Sequence, residues 1–164
     1  MSTHLKNLSD FSGTSVPTAA PYRFGIVVAE WNADITEALY MGAYESLVEH
    51  GALTENIYTY SVPGSFELTS GADILLKNRK LDAVICLGCV IQGETRHFDF
   101  ICNAVANGIS NVALKYSKPV IFGVLTTDDH RQADERAGGK HGNKGVEAAV
   151  TAIKMAYLAE TISG

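Results

Sequence analysis

At 164 residues the chain has the length of one domain, and a domain of that size buries about 70% of its unfolded surface. A hydrophobic content of 46%, a charged content of 19% and a formal net charge of −5 suit a globular protein, and argue against nucleic acid or an anionic membrane as the main partner. Three cysteines make no disulfide framework, so a reducing, cytoplasmic setting is expected.

Residues 1–21 are polar, rich in Ser and Thr, and punctuated by Pro17 and Pro21. They hold no apolar core of the signal-peptide kind. They are expected to form an arm, flexible or ordered only by a neighbouring subunit, ahead of one domain over 22–164. Phe24 to Ala29 is a short run with β-branched residues, suiting a strand buried on both faces. From Asp34 to His50, Ile35, Leu39, Ala43 and Leu47 recur at helical spacing, and Gly51 offers a stop. Ile57 to Val62 suits a second strand, ended by Pro63-Gly64. Phe66 to Asn78 suits a second helix, with Ser65 as its cap. Ala83 to Gly88 is a third buried strand. A loop through Gly93 leads into a long helix with Ile101, Val105, Ile109 and Val112 on one face. Pro119 to Val124 is the fourth strand, and no run is long and apolar enough to span a bilayer. Two helical pieces follow, over about 130–137 and 145–161, separated by a Gly-rich hinge. Strands alternating with helices predict an α/β fold: a flavodoxin-like three-layer sandwich with a four-stranded parallel sheet flanked by helices.

In open parallel sheets, ligands bind beyond the carboxyl ends of the strands. Those ends here are Trp31-Asn32, Pro63 to Glu67, Cys89 to His97, and Leu125 to Asp129. Gly93-Glu94-Thr95-Arg96-His97 opens the long helix, where free N–H groups and the helix dipole suit an anion. An imidazole there is placed to move protons near neutral pH. An ordinary helix start with an exposed histidine fits the same residues. Arg136 to Gly145 mixes flexible backbone with cations, which suits a phosphate. A solvated hinge fits that spacing equally well. It is no Walker loop, because Asn143 stands where the second Gly belongs and Gly145 where Ser or Thr belongs. Trp31 suits stacking on a flat heterocycle with Asn32 at its polar edge, and it also suits core or interface packing. Glu67 suits sugar-like hydroxyls, or simply the helix dipole.

Cys86 and Cys89 match C-x-x-C, but they lie in and just after a buried strand. They lack the helix N-terminus of a redox pair and the second ligand pair of a zinc site. The five histidines show no metal-ligand spacing. With no G-x-G-x-x-G and no G-x-S-x-G, nicotinamide enzymes and serine hydrolases lose their main support.

Taken in order, six segments resemble the 6,7-dimethyl-8-ribityllumazine synthase family, over about Phe24 to Tyr157. They are Phe24 to Val28, Trp31-Asn32, Val62 to Glu67, Leu87 to Phe100, Pro119 to Thr127, and Glu135 through Gly145. The resemblance implies a transferase of riboflavin biosynthesis. It condenses 5-amino-6-(D-ribitylamino)uracil with 3,4-dihydroxy-2-butanone 4-phosphate, giving the lumazine, phosphate and water, with no metal and no organic cofactor. It sets Trp31 against the pyrimidine, where many members carry Phe, and Ser65, Phe66 and Glu67 along the ribityl chain. Cys89, Val90 and Ile91 meet the pyrimidine edge through their backbone, and Gly93, Glu94 and Thr95 hold phosphate. His97 is the proton donor, while Phe122 and Arg136 come from the adjacent subunit, with Lys144 near the phosphate. The departures are Gln92 in place of a frequent basic residue, Cys89 where Thr is common, and Glu94 in the phosphate loop. A carboxylate there requires that its backbone N–H make the contact. The resemblance further implies a homo-oligomer with sites between subunits, a pentamer or an icosahedral shell, and riboflavin synthase as a partner. A non-catalytic flavin or lumazine carrier, or a shell protein on the same fold, is the alternative. A carrier would need neither His97 nor Arg136.

Overall fold

Four runs dominated by apolar residues pair side by side, and their register decides which residues reach the edge where ligands bind. A computed structural model describes residues 7–11 and 15–163. Strands β1 (Phe24–Ala29), β2 (Ile57–Val62), β3 (Ala83–Ile91) and β4 (Val120–Thr127) form one sheet in the order β2-β1-β3-β4. Every pairing in it is parallel. The chain order strand–helix–strand follows from that, because parallel neighbours need a crossover.

Helices α1 (Ala33–Glu49) and α5 (Lys144–Ser163) cover one face, and α2 (Leu68–Asn78) and α3 (His97–Tyr116) the other. The period of two along β3 serves both. Ile85, Leu87 and Cys89 join Ile26, Ile35, Leu39, Leu47 and Ile153 in one core. Val84 and Cys86 join Val27, Leu68, Val105, Ile109 and Val124 in the other. Each fully buried aliphatic side chain in these layers contributes about 1.5–3 kcal/mol of transfer free energy. Among the described residues, no helix is long and apolar enough to cross a membrane.

The flavodoxin-like sandwich is as expected, and four local features differ. First, β3 runs on to Ile91 and β4 to Thr127, because Cys89, Val90 and Ile91 pair with Leu125, Thr126 and Thr127. Gly88 does not end the strand; it sits within the ladder. Second, Ser65 does not cap α2. The chain makes a 3-10 turn over Ser65–Glu67, and the Ser65 hydroxyl is turned inward. Third, the piece expected over 130–137 is a short helix α4 (His130–Asp134), capped by the Asp129 carboxylate accepting from Gln132 N at 2.8 Å. Fourth, the hinge is a small antiparallel hairpin of β5 (Ala137–Gly139) and β6 (Gly142–Asn143). Its turn needs φ of +121° at Gly138 and +82° at Gly142, a region that glycine enters without steric cost.

The expected arm divides. Leu8 is buried and its N–H donates to His141 O at 2.7 Å, while Ala19 is fully buried and its N–H donates to His50 O at 2.8 Å. What was expected of residues 1–6 and 12–14 lies outside the described residues.

Candidate active site

The site begins where β1 and β2 leave the sheet together. Glu30 N–H donates to Val62 O at 2.9 Å and Trp31 N–H to Pro63 O at 3.2 Å. This pairing past the strand ends brings Trp31 beside Gly64. A Cβ on Gly64 would lie 3.5 Å from Trp31 Cδ1 and 3.2 Å from Glu67 Oε2, so the ring and the carboxylate both border that glycine. Asn32 then takes the left-handed conformation, φ 58° and ψ 52°, and its carbonyl accepts from Ile35 N–H and Thr36 N–H to start α1. Asn is among the few residues that tolerate this conformation. Its Nδ2 donates to Cys89 O at 3.0 Å, tying the end of β1 to β3.

Four segments meet around one open cleft of about 830 Å³. Trp31 and Asn32 line it from β1, Pro63 to Glu67 from the β2 end, Cys89 to Ile91 from β3, and His97 with Ile101 from α3. Trp31 is 72% exposed and Phe66 55%. Two aromatic faces left in water beside a concave surface favour a flat, partly apolar ligand, which recovers their burial. Ser65 is buried, its Oγ has no hydrogen-bond partner among the described residues, and it packs so closely on Gly88 that a Cβ there would lie 2.6 Å from it.

His97 is exposed and is the first residue of α3, its N–H donating to Thr95 Oγ1 at 3.4 Å. Gly93, Glu94, Thr95 and Arg96 are exposed beside the cleft, and a Cβ on Gly93 would meet nothing within 4 Å. Arg96 pairs loosely with Asp99 at 4.0 Å. That loop leaves backbone N–H groups open to solvent at the positive end of a 20-residue helix.

Other expected site residues stand apart in their own chain. Phe122 pairs with Cys86 in the ladder and packs in the α2/α3 layer, three residues and roughly 10 Å down the strand from Leu125. Arg136 donates through Nη1 to Gln132 O at 2.9 Å, and Lys144 Nζ to Glu147 Oε1 at 2.7 Å. None of the three lines the cleft. Pro63 and Gly64 line it within the strand end expected to bind ligand, and Ile101 lines it without having been expected to. Ile101 follows His97 by four residues, so a helix that points the imidazole at the cleft brings Ile101 with it.

The cysteines offer no nucleophile. Burial pushes the Cys89 thiol up to about 12, helped by the charges of Asp34 and Asp134, and burial alone does the same for Cys86. Three residues apart on one strand, they face opposite cores.

One group among the described residues has the composition of a metal site: Asp34, His130 and Asp134, all exposed. His130 Nε2 lies 2.7 Å from Asp34 Oδ2 and Nδ1 lies 3.2 Å from Asp134 Oδ2. Both ring nitrogens thus face carboxylates, and the Asp34 hydrogen bond foremost holds His130 above the usual histidine range. The arrangement is that of an imidazole bridging two helices.

Comparison with known proteins gives the family. A family model described as 6,7-dimethyl-8-ribityllumazine synthase matches residues 21–160. The chain is 64% identical to the 6,7-dimethyl-8-ribityllumazine synthase of Cytophaga hutchinsonii, across 99% of this chain and 100% of that protein. It is 56% identical to the protein of that name from Parabacteroides distasonis, across 94% and 97% of the two chains. For the one from Porphyromonas gingivalis the identity is 54%, across 96% and 98%. The chain belongs to the 6,7-dimethyl-8-ribityllumazine synthase family.

Proposed function

We propose that the cleft between the ends of β1, β2 and β3 is where 5-amino-6-(D-ribitylamino)uracil and 3,4-dihydroxy-2-butanone 4-phosphate condense. The products are 6,7-dimethyl-8-ribityllumazine, phosphate and water, so the chain is a transferase of riboflavin biosynthesis. One observation carries the reading: exposed aromatic rings, a carboxylate and an imidazole converge on a single cleft.

Trp31 stacks on the pyrimidine, and Cys89, Val90 and Ile91 meet its edge through backbone groups. Asn32 spends its amide N–H on Cys89 O, leaving Oδ1 for the ligand. Ser65, Phe66 and Glu67 follow the ribityl chain. Gly93, Glu94 and Thr95 offer N–H groups to the phosphate. The uracil's 5-amino group attacks the ketone and water leaves, loss of phosphate gives an enol that tautomerises to a new ketone, and condensation of the ribitylamino nitrogen with that ketone closes the ring and releases a second water. Holding two reactive partners together supplies much of the rate. Proton donation by His97 to the departing oxygen adds about 10²–10⁴-fold.

A phosphate dianion needs more positive charge than this loop supplies. Arg136, Lys144 and Phe122 lie off the cleft in their own chain, which supports their coming from an adjacent subunit of a homo-oligomer. Phe100 at 70% and Leu114 at 75% exposure on α3 leave apolar surface for such an interface. By resemblance the ring is a pentamer, the larger assembly an icosahedral shell of pentamers, and riboflavin synthase the partner that consumes the lumazine. The free thiols of Cys86, Cys89 and Cys102 suit a reducing cytoplasm.

Mixing both substrates with purified protein and following lumazine fluorescence tests the reading. Turnover proportional to protein concentration is expected. Tight lumazine binding with no turnover would make the chain a carrier instead.

A further inference from the structure

The cations assigned to phosphate flank a hairpin that cannot hold itself. Only Ala137 with Asn143 and Gly139 with Gly142 pair across β5 and β6, and a ladder this short is unstable alone in water. Beside the Leu8 N–H bond to His141 O, several of its ties to the rest of the fold run through Asn143. Asn143 Nδ2 donates to Ala38 O of α1 at 2.9 Å and to Ala137 O of β5 at 3.3 Å. Its Oδ1 accepts from Gly145 N–H at 2.7 Å, capping the first turn of α5. Its backbone N–H donates to Ser9 Oγ at 2.8 Å. Both amide donors and the acceptor are therefore used within the fold.

Two glycines make room for this. A Cβ on Gly42 of α1 would lie 2.6 Å from Asn143 Cγ, and one on Gly145 would collide with Leu39 O. The pinned atoms adjoin the cations directly. Ala137 follows Arg136, Lys144 follows Asn143, and Lys144 N–H donates to Arg136 O at 2.8 Å. Moving the Asn143 amide therefore moves both cations relative to α1.

We propose that Asn143 is the positioning residue of the phosphate-binding cations, fixing Arg136 and Lys144 to α1 without itself touching substrate. This rests on reading those cations as ligands of the neighbouring subunit's phosphate. Asn143→Asp and Asn143→Ser both keep an oxygen to cap Gly145 N–H. Asp loses the donors to Ala38 O and Ala137 O, and Ser is too short to reach them. The KM for the butanone phosphate should rise about tenfold or more, while the dissociation constant of ribitylaminouracil changes less than about twofold. The inhibition constant of inorganic phosphate should rise in parallel. In an Arg136→Ala background the same substitution should add less than about threefold, because the cation it positions is gone.

Equal losses for both substrates, or an undiminished effect in the Arg136→Ala background, would make Asn143 a purely structural residue and overturn the proposal. If Arg136→Ala itself leaves the butanone phosphate KM unchanged, the phosphate assignment fails and the proposal falls with it. If Arg136→Ala raises that KM and neither Asn143 variant does, only the proposal fails. Should the Asp variant not fold, the Ser variant carries the same outcomes.

Discussion

The proposed roles of His97 and Trp31 separate proton transfer from holding the ring, and single substitutions resolve the two. His97→Ala should lower kcat by about 10²-fold or more while ribitylaminouracil binding stays nearly unchanged. Steady-state fluorescence and calorimetric titration check this together, and a drop within about threefold would remove the proton-donor role. Trp31→Ala should weaken ribitylaminouracil by about 1–3 kcal/mol and the phosphate substrate far less, with Trp31→Phe near neutral. Equal losses would assign Trp31 to packing. At this scale the sequence disclosed which side chains crowd the strand ends, since strand length and turn residues set that locally. It did not disclose what Ser65 does. A Ser before a helical pattern looks like a cap, whereas its actual neighbour is Gly88, 23 positions later on another strand.

Between elements, the Asp34–His130–Asp134 bridge joins the first turn of α1 to α4. Its hydrogen bond to Asp34 and the charges of both carboxylates outweigh the effect of burial and raise the His130 pKa on folding. A group that holds its proton more tightly when folded stabilises fully below its unfolded value, about 6.5, and loses that contribution as pH rises through the raised value. The melting temperature of the parent should therefore exceed that of His130→Gln most clearly in mild acid, with the gap closing toward alkaline pH. A gap independent of pH would show that the bridge acts by packing alone. His130 and Asp134 are four residues apart and so adjacent on a helix, but Asp34 lies 96 positions away, which periodicity cannot reveal. The same limit applies to β3 and β4. Their last three pairs are set across strands, whereas sequence pattern stops at Gly88 and Val124. The β5–β6 hairpin also escaped, since Gly138 to Gly142 carries turn chemistry that suits a hinge as well as a tight hairpin.

For the molecule as a whole, alternating strands and helices made the parallel sandwich legible, because buried parallel strands form continuous apolar runs. Subunit arrangement was open only to resemblance, since an exposed Phe100 or Leu114 is the same residue type as a buried one. The central claim is that one chain's cleft is completed by its neighbour's Arg136. In the proposed ring with head-to-tail interfaces, His97→Ala and Arg136→Ala chains would each lack a different half of the site. The decisive measurement is lumazine formation after both mutant chains are unfolded together in equal amounts and reassembled at random. Each interface then draws an intact His97 half the time and an intact Arg136 half the time, so roughly a quarter of sites should regain full activity. Mutants refolded separately and then mixed should stay poor. Verified mixed oligomers no more active than that control would contradict a site shared between subunits.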